Sequence, residues 1–263
     1  MSKVAIVTGA SSGIGKCAAE NLFKKGIIVY EFSRRDMESK DIIHTSVDVT
    51  DEEAVNQAVK KIYEKEGHID ILINCAGFGI SGAVEFTESE SAKRQLDVNF
   101  FGTVNAVKSV LGIMRRQGSG RIVLTSSVAA AIPIPFQTFY SVSKAAINSY
   151  AMSLSNEVKP YGISVCAVMP GDTKTNFTAS RAKSFAGDDE YGGRISRSVK
   201  VMENDEINGS SSEAAGAYLA RMATKKKVKP LSTIGFKYKL FVVIMRLLPC
   251  SLSNWMLGLI YAK

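Results

Sequence analysis

The chain predicts an α/β protein built on one doubly wound parallel sheet, and three features carry that prediction. Short, near-continuous apolar runs alternate with longer mixed stretches, the pattern of strands covered on both faces by helices. The first run, Val4 to Thr8, leads through a glycine-rich turn straight into a helix-like stretch. Gly9, Ser33, Gly77, Ser127 and Pro170 all fall where strands end, and open α/β sheets hold ligands at those carboxyl ends. With 263 residues, 46% hydrophobic and 22% charged, the chain can bury the core of one such domain.

Strand one, Val4 to Thr8, ends in Thr8-Gly9-Ala10-Ser11-Ser12-Gly13-Ile14-Gly15, and a helix is expected from Lys16 to Lys25. Glycines there allow a tight turn and close approach of backbone to pyrophosphate, while a helix N-terminus offers free N–H donors. Gly9, Ser11, Ser12, Gly13, Ile14 and Gly15 are therefore expected to contact a dinucleotide. A lone glycine cluster could be only a turn; the order strand, turn, helix argues for more.

Strand two, Ile27 to Phe32, ends in Ser33-Arg34-Arg35. An acid at this end would bind a ribose 2′-hydroxyl, whereas basic residues suit a 2′-phosphate. Ser33, Arg34 and Arg35 thus favour NADP(H) over NAD, although two arginines can also merely solvate a loop. Glu31, inside the strand, is a weaker ribose contact.

Strand three, Ile42 to Val47, ends at Asp48 and Val49. Asp48 suits an adenine edge, and Thr50 or Asp51 caps a helix running to Glu66. Strand four, Ile69 to Ile73, ends in Asn74-Cys75-Ala76-Gly77, and a helix continues through Ala92 and Asn99 to Gln117. Strand five, Arg121 to Thr125, ends in Ser126-Ser127. Residues Ile132 to Phe139 read as a proline-punctuated loop. A helix from Tyr140 to Lys159 is stopped by Pro160 and Gly162. Strand six, Ile163 to Val168, ends at Pro170-Gly171, and a last short strand falls at Leu231 to Ile234.

Within the late helix, Tyr140-Ser141-Val142-Ser143-Lys144 sets a phenol and an ammonium four residues apart on one face. A free tyrosine, with a pKa of about 10, shuttles protons poorly at neutral pH, and a neighbouring cation favours its phenolate. That spacing is common by chance. It gains meaning only because the same sheet edge collects the other motifs.

Taken in order, TGASSGIG (Thr8–Gly15), NCAG (Asn74–Gly77), Asn99, Ser127, YSVSK (Tyr140–Lys144) and PGDTKT (Pro170–Thr175) resemble the short-chain dehydrogenases/reductases. The resemblance implies a Rossmann fold and an NADP(H)-dependent oxidoreductase that moves hydride between nicotinamide and a carbonyl or alcohol carbon. It implies that Tyr140 is the general acid/base and that Lys144 lowers its pKa and holds the nicotinamide ribose. Ser127 would orient the carbonyl, and Asn99 would place Lys144 through a water and a helix distortion. Asn74, Ala76 and Gly77 would line the adenine-ribose side, with Pro170, Gly171 and Thr173 beside the cofactor and Thr175 at its carboxamide or pyrophosphate. Cys75 and Thr173 depart from the usual Asn and Val, at positions that act through structure or backbone.

Phe78, Ile134, Phe136 and Phe177, with Ile80, Ile132 and Met169, put apolar side chains near strand ends and favour a bulky hydrophobic substrate. Core packing is the alternative for each of them. The stretch from Asn74 to Val168 resembles the steroid- and retinol-converting branch. Residues 176–212 are polar and weakly periodic, and the family makes this segment a flap over the substrate. The family also implies a homodimer or homotetramer. A rival reading is an NADP-binding sensor or docking scaffold with incidental catalysis, against which the intact Ser127, Tyr140, Lys144 and Asn99 count.

The expected domain covers residues 1–235, and residues 236–263 form an apolar helical extension broken at Pro249. Arg246 and Pro249 interrupt the run, which falls short of the about 20 apolar residues that a membrane span needs. Three readings stay open: helices over the substrate mouth, a subunit interface, or a peripheral membrane contact. Lys225, Lys226, Lys227 and Lys229 suit a solvated helix end, an anionic surface being the sharper alternative. The net charge of +8 comes without the interleaved basic and aromatic residues of a nucleic-acid surface. Four dispersed cysteines, two histidines and no CxxC pair argue against a disulfide framework or metal site. With no signal-peptide pattern at the start, the expected location is cytoplasmic, extending to peripheral membrane association.

Overall fold

The computed structural model describes residues 2–35, 39 and 41–262. Seven parallel strands form the central sheet: β1 (Val4–Thr8), β2 (Ile28–Ser33), β3 (Ile43–Ser46), β4 (Ile71–Asn74), β5 (Gly120–Thr125), β6 (Ile163–Met169) and β7 (Leu231–Thr233). Their spatial order is β7-β6-β5-β4-β1-β2-β3, so the chain reverses direction between β1 and β4 and opens a crevice there. The strands at the centre are apolar throughout because both faces are covered; all five residues of β1 are buried.

Helices α1 (Gly13–Phe23), α2 (Glu52–Glu66), α3 (Ser89–Leu96), α4 (Gly102–Gln117) and α5 (Thr138–Glu157) follow in chain order. Apolar faces of α2, α4 and α5 build one core with Ile6, Leu72, Ile122 and Val165 of the sheet. The opposite face carries α1 and α8 (Ser212–Thr224) over Val7, Ile73, Val123 and Val168. Asp51, not Thr50, caps α2 by accepting a hydrogen bond from the Ala54 N–H, and left-handed Gly67 ends the helix.

One expected boundary needs correction. The first helix starts at Gly13, three residues earlier than the apolar pattern suggested, because the glycine turn closes directly into it. Residues 176–212, polar and weakly periodic in sequence, contain α6 (Phe177–Ser180) and the fourteen-residue α7 (Arg194–Ile207). Two short parallel pairings pin this segment, Thr173–Lys174 with Ser210–Ser211 and Ile80–Ser81 with Ala182–Lys183. Ion pairs Arg181–Glu206 and Lys183–Glu203 add to them.

After β7 come α9 (Phe236–Leu247) and α10 (Cys250–Tyr261), joined at Pro249. Their inner residues Val242, Met245 and Leu257 pack on Ile132 in a small separate core. The lysines at 225–229 lie at the amino ends of the strands, before β7, where the Arg121 guanidinium donates to the carbonyls of Met222 and Lys225 and closes the end of α8.

The α1–α8 contact depends on a missing side chain: a Cβ at Gly216 would lie 2.4 Å from the Cys17 Cβ. Gly216→Ala should overpack this interface and lower stability by about 1–3 kcal/mol, read as a drop in denaturation midpoint. An unchanged midpoint would show that α1 and α8 can separate freely.

Candidate active site

The crevice at the strand ends is a cavity of about 700 Å³. The glycine turn forms one wall. Gly9 and Gly13 adopt positive φ, and a Cβ on Gly15 would come within 2.4 Å of the Gly9 carbonyl oxygen. Ser12 begins α1 without using its side chain as a cap, and the first turn contains no acid. Free N–H groups and the positive end of the helix therefore face the cavity, an arrangement that fits the pyrophosphate of a dinucleotide.

Gly9, Ser11, Ser12, Gly13, Ile14, Gly15, Ser33, Arg34, Arg35, Asp48, Val49, Ala76 and Gly77 all line this space. So do Pro170, Gly171, Thr173 and Thr175 on its far side. Arg34 reaches toward Asp48 at 3.8 Å, and Asp48 also accepts from the Thr50 N–H and hydroxyl. These contacts hold the Asp48 carboxyl below the usual carboxylate range despite its partial burial. Asn74 is the exception. Its side chain is buried under the sheet edge, accepts from Thr8 Oγ1 at 2.6 Å and donates to Thr103 Oγ1 at 2.8 Å, so that side chain serves the scaffold.

Tyr140, Lys144 and Ser127 meet at the cavity's other end. Ser127 begins a 3-10 turn, Val128–Ala130, its hydroxyl accepting from the Ala129 N–H, and it lies close enough to Tyr140 to favour the phenolate. Asn99 sits behind them in a π-helical turn, Asp97–Phe101, between α3 and α4. Its side-chain oxygen accepts from the Phe78 N–H, while its amide donates to the Phe78 carbonyl and to Ser143 Oγ, each at 3.0 Å. A Cβ on Gly77 would crowd Asn99 Oδ1 at 3.0 Å and come into ordinary contact with Lys144 Nζ at 3.6 Å, so glycine leaves the Asn99 amide undisturbed.

The free protein does not show the lysine drawing the phenol's pKa down. Lys144 Nζ lies 5.7 Å from the Tyr140 ring centre and donates to the Thr125 carbonyl at 2.9 Å. Burial dominates both groups. It pushes the Tyr140 phenol up to about 12, partly offset by Ser127 and reinforced by the charges of Glu206 and Asp172. The same burial pulls Lys144 down to about 8. Tyr140 keeps part of its surface on the open cavity, so whatever fills that space resets its proton affinity.

Phe78, Ile134 and Phe177 line the cavity, with the Phe177 ring 5.5 Å from that of Tyr140. Phe136 does not. Its backbone is left-handed, φ 58°, and its ring packs with Ala83, Ile195 and Tyr191 in a separate cluster. Met169 is likewise core, with Asn148 against its sulfur. Residues not anticipated as site residues complete the walls: Arg94 near Asp48, Gln137 beside Tyr140, and Asp172, Glu206, Tyr238, Phe241 and Tyr261 at the mouth. Asp172 lies inside the PGDTKT motif and Gln137 three residues before Tyr140; the others come from distant helices.

A profile of the short chain dehydrogenase family matches residues 3–185. A 3-ketodihydrosphingosine reductase of Bacteroides thetaiotaomicron is 38% identical over 269 residues, covering 99% of this chain and 98% of that one. A 3-dehydrosphinganine reductase of Danio rerio is 31% identical over 247 residues, covering 88% and 70%. Among solved structures, a short-chain dehydrogenase from Streptomyces avermitilis matches with a TM-score of 0.82 at 26% identity, covering 97% and 96%. ElxO with NADP bound matches at 0.77 and 25% identity, covering 91% and 100%.

The Lys144 shift has a measurable consequence. Between about pH 8 and 10.5 the unfolded chain holds this lysine's proton more firmly than the folded one, so its contribution to stability rises with pH. Lys144→Met should therefore stabilise the free protein relative to wild type at pH 7, and the gain should shrink as pH climbs past 8. A pH-independent difference between the two denaturation curves would refute the buried, destabilised cation.

Proposed function

Because the chain belongs to the short-chain dehydrogenase family, we propose that it is an NADP(H)-dependent reductase whose substrate is a long-chain lipid with an amino group beside its ketone, a 3-keto sphingoid base. Oxidoreductase chemistry with a nicotinamide cofactor comes with the family. The single observation that carries the finer reading is the cavity wall where Tyr140 and Ser127 share space with the Asp172 and Glu206 carboxylates. Both acids act on the Tyr140 phenol through charge, so both lie within electrostatic reach of the reacting carbonyl. Glu206 shares its charge with Arg181, whereas Asp172 is held by the neutral Tyr238 hydroxyl at 2.8 Å. Asp172 is thus free to meet a substrate ammonium.

Apolar walls from Phe78, Ile80, Ile132, Ile134 and Phe177 suit the hydrocarbon chain. Steroids and retinoids carry no cation for Asp172 to meet, which turns the reading away from that branch. The 38% identity to a 3-ketodihydrosphingosine reductase runs through nearly the whole chain and supports the same substrate class.

In this reading the bound cofactor supplies the hydride. Ser127 orients the carbonyl oxygen, and Tyr140, which burial keeps protonated at neutral pH, donates its proton to that oxygen. Lys144 is a buried cation with room near Gly77 to face a ribose. Asn99 holds the Phe78 backbone and Ser143 in place behind it. Ser33, Arg34 and Arg35 would hold a 2′-phosphate, with Arg34 moving from Asp48 to do so.

NADPH consumption should be measured with 3-ketodihydrosphingosine, its N-acetylated analogue, retinal and a ketosteroid. The free amine should be the best substrate. Asp172→Asn should raise its KM on the order of 10- to 100-fold and leave the neutral analogue's KM nearly unchanged. Tyr140→Phe should cut turnover on the order of 100-fold or more with NADPH binding retained. Preference for neutral ketones would overturn the substrate class, and tight NADPH binding without turnover of any ketone would favour a sensor. Separately, Arg34→Asp should move cofactor preference from NADP(H) toward NAD(H), read as the ratio of kcat/KM values; an unchanged ratio removes Arg34 from the choice.

A further inference from the structure

We propose that the outward faces of α9 and α10 dock the protein on an anionic lipid bilayer, with the cavity mouth beside the membrane. The argument rests on this surface and does not require the substrate reading above. Phe236, Leu240, Val243, Ile244 and Leu247 recur at helical spacing and occupy an arc of roughly 100° on α9. All five are exposed, Phe236 and Leu247 at about 80%. The opposite side of the helix, Val242 and Met245, is buried on Ile132. On α10, Leu252, Trp255 and Leu259 form a second exposed apolar row, with Trp255 at 61%.

Cations flank the α9 stripe: Lys237 on one side, Lys239 and Arg246 on the other. Residues 236–263 contain no Asp or Glu. Lys237 interacts with Asp205 of α7, which leaves Lys239 and Arg246 as the outward charges of the stripe. A second copy of the chain pairing through this face would set these cations against their own counterparts with no acid from the helices to offset them. Anionic headgroups supply the missing charge, and the acyl region takes up the apolar stripe, as for a helix lying in the interface plane. Neither helix is long enough to span a bilayer, and among the described residues no helix is. The same two helices line the cavity mouth through Tyr238, Phe241 and Tyr261, so docking would open the site toward the lipid phase.

Trp255 is the only tryptophan of the chain, so its emission reports this face alone. The full chain is mixed with vesicles of phosphatidylcholine, or of phosphatidylcholine with phosphatidylserine, and followed by co-sedimentation and fluorescence. The expected result is a blue shift of Trp255 and sedimentation with phosphatidylserine vesicles, at least tenfold tighter than with phosphatidylcholine and reduced by salt. K239E/R246E should weaken binding on the order of tenfold or more. Leu247→Ser with Trp255→Ser should abolish sedimentation. Turnover of a short water-soluble ketone, unchanged in both variants, shows that they fold. A soluble protein with unmoved Trp255 emission overturns the proposal. So does a dimer in sedimentation velocity that L247S/W255S converts to monomer, which would make the face a subunit interface.

Discussion

A run of buried hydrogen bonds ties the strand that carries the glycine turn to the helix that carries Tyr140. Thr8 donates to Asn74, Asn74 to Thr103, and Thr103 to the Asn99 carbonyl. The Asn99 amide then donates to Ser143, whose hydroxyl donates to the Tyr140 carbonyl. Each link adds only about 1 kcal/mol net, but losing one strands a buried polar group at a cost of about 1–3 kcal/mol. The network therefore tolerates few alternatives. It joins the glycine turn at one end of the cavity to Tyr140 at the other. The π-helical turn at Asp97–Phe101 belongs to this network: Asn99 reaches Phe78 and Ser143 from it.

Burial sets the resting charges at the far end. Without a partner in the cavity, a phenol and an ammonium close together both shift toward their neutral forms, because desolvation outweighs their mutual help. The free protein consequently keeps the Tyr140 phenol protonated at neutral pH. Asp172 and Glu206 add negative charge to the same wall, making the phenolate costlier and a cationic substrate more welcome. Under the proposed substrate reading, an ammonium beside Asp172 would offset part of the field that holds the Tyr140 proton.

The C-terminal helices show how one element serves two surfaces. Inward, Val242, Met245 and Leu257 close a small core while Phe241 and Tyr261 edge the cavity; outward, the same turns expose Phe236, Leu247 and Trp255. A helix apolar on both sides leaves its outer face exposed to water unless a second apolar neighbour covers it.

The parallel sheet, the glycine cradle, the basic end of β2 and the Tyr140–Lys144 spacing were legible in the sequence because each is local chemistry. A strand–turn–helix, a charge at a strand end and an i,i+4 pair need no knowledge of distant residues. Tertiary structure decided the rest. Phe136 points into a satellite core because of its left-handed backbone, and Asn74 turns inward because Thr8 and Thr103 wait there for it. Glu206, Tyr238 and Tyr261 reach the mouth from helices far along the chain, with no spacing to announce them. The direction of the Tyr140 and Lys144 shifts was likewise invisible, because desolvation measures the surrounding fold, and only the folded chain says which charges have lost their water.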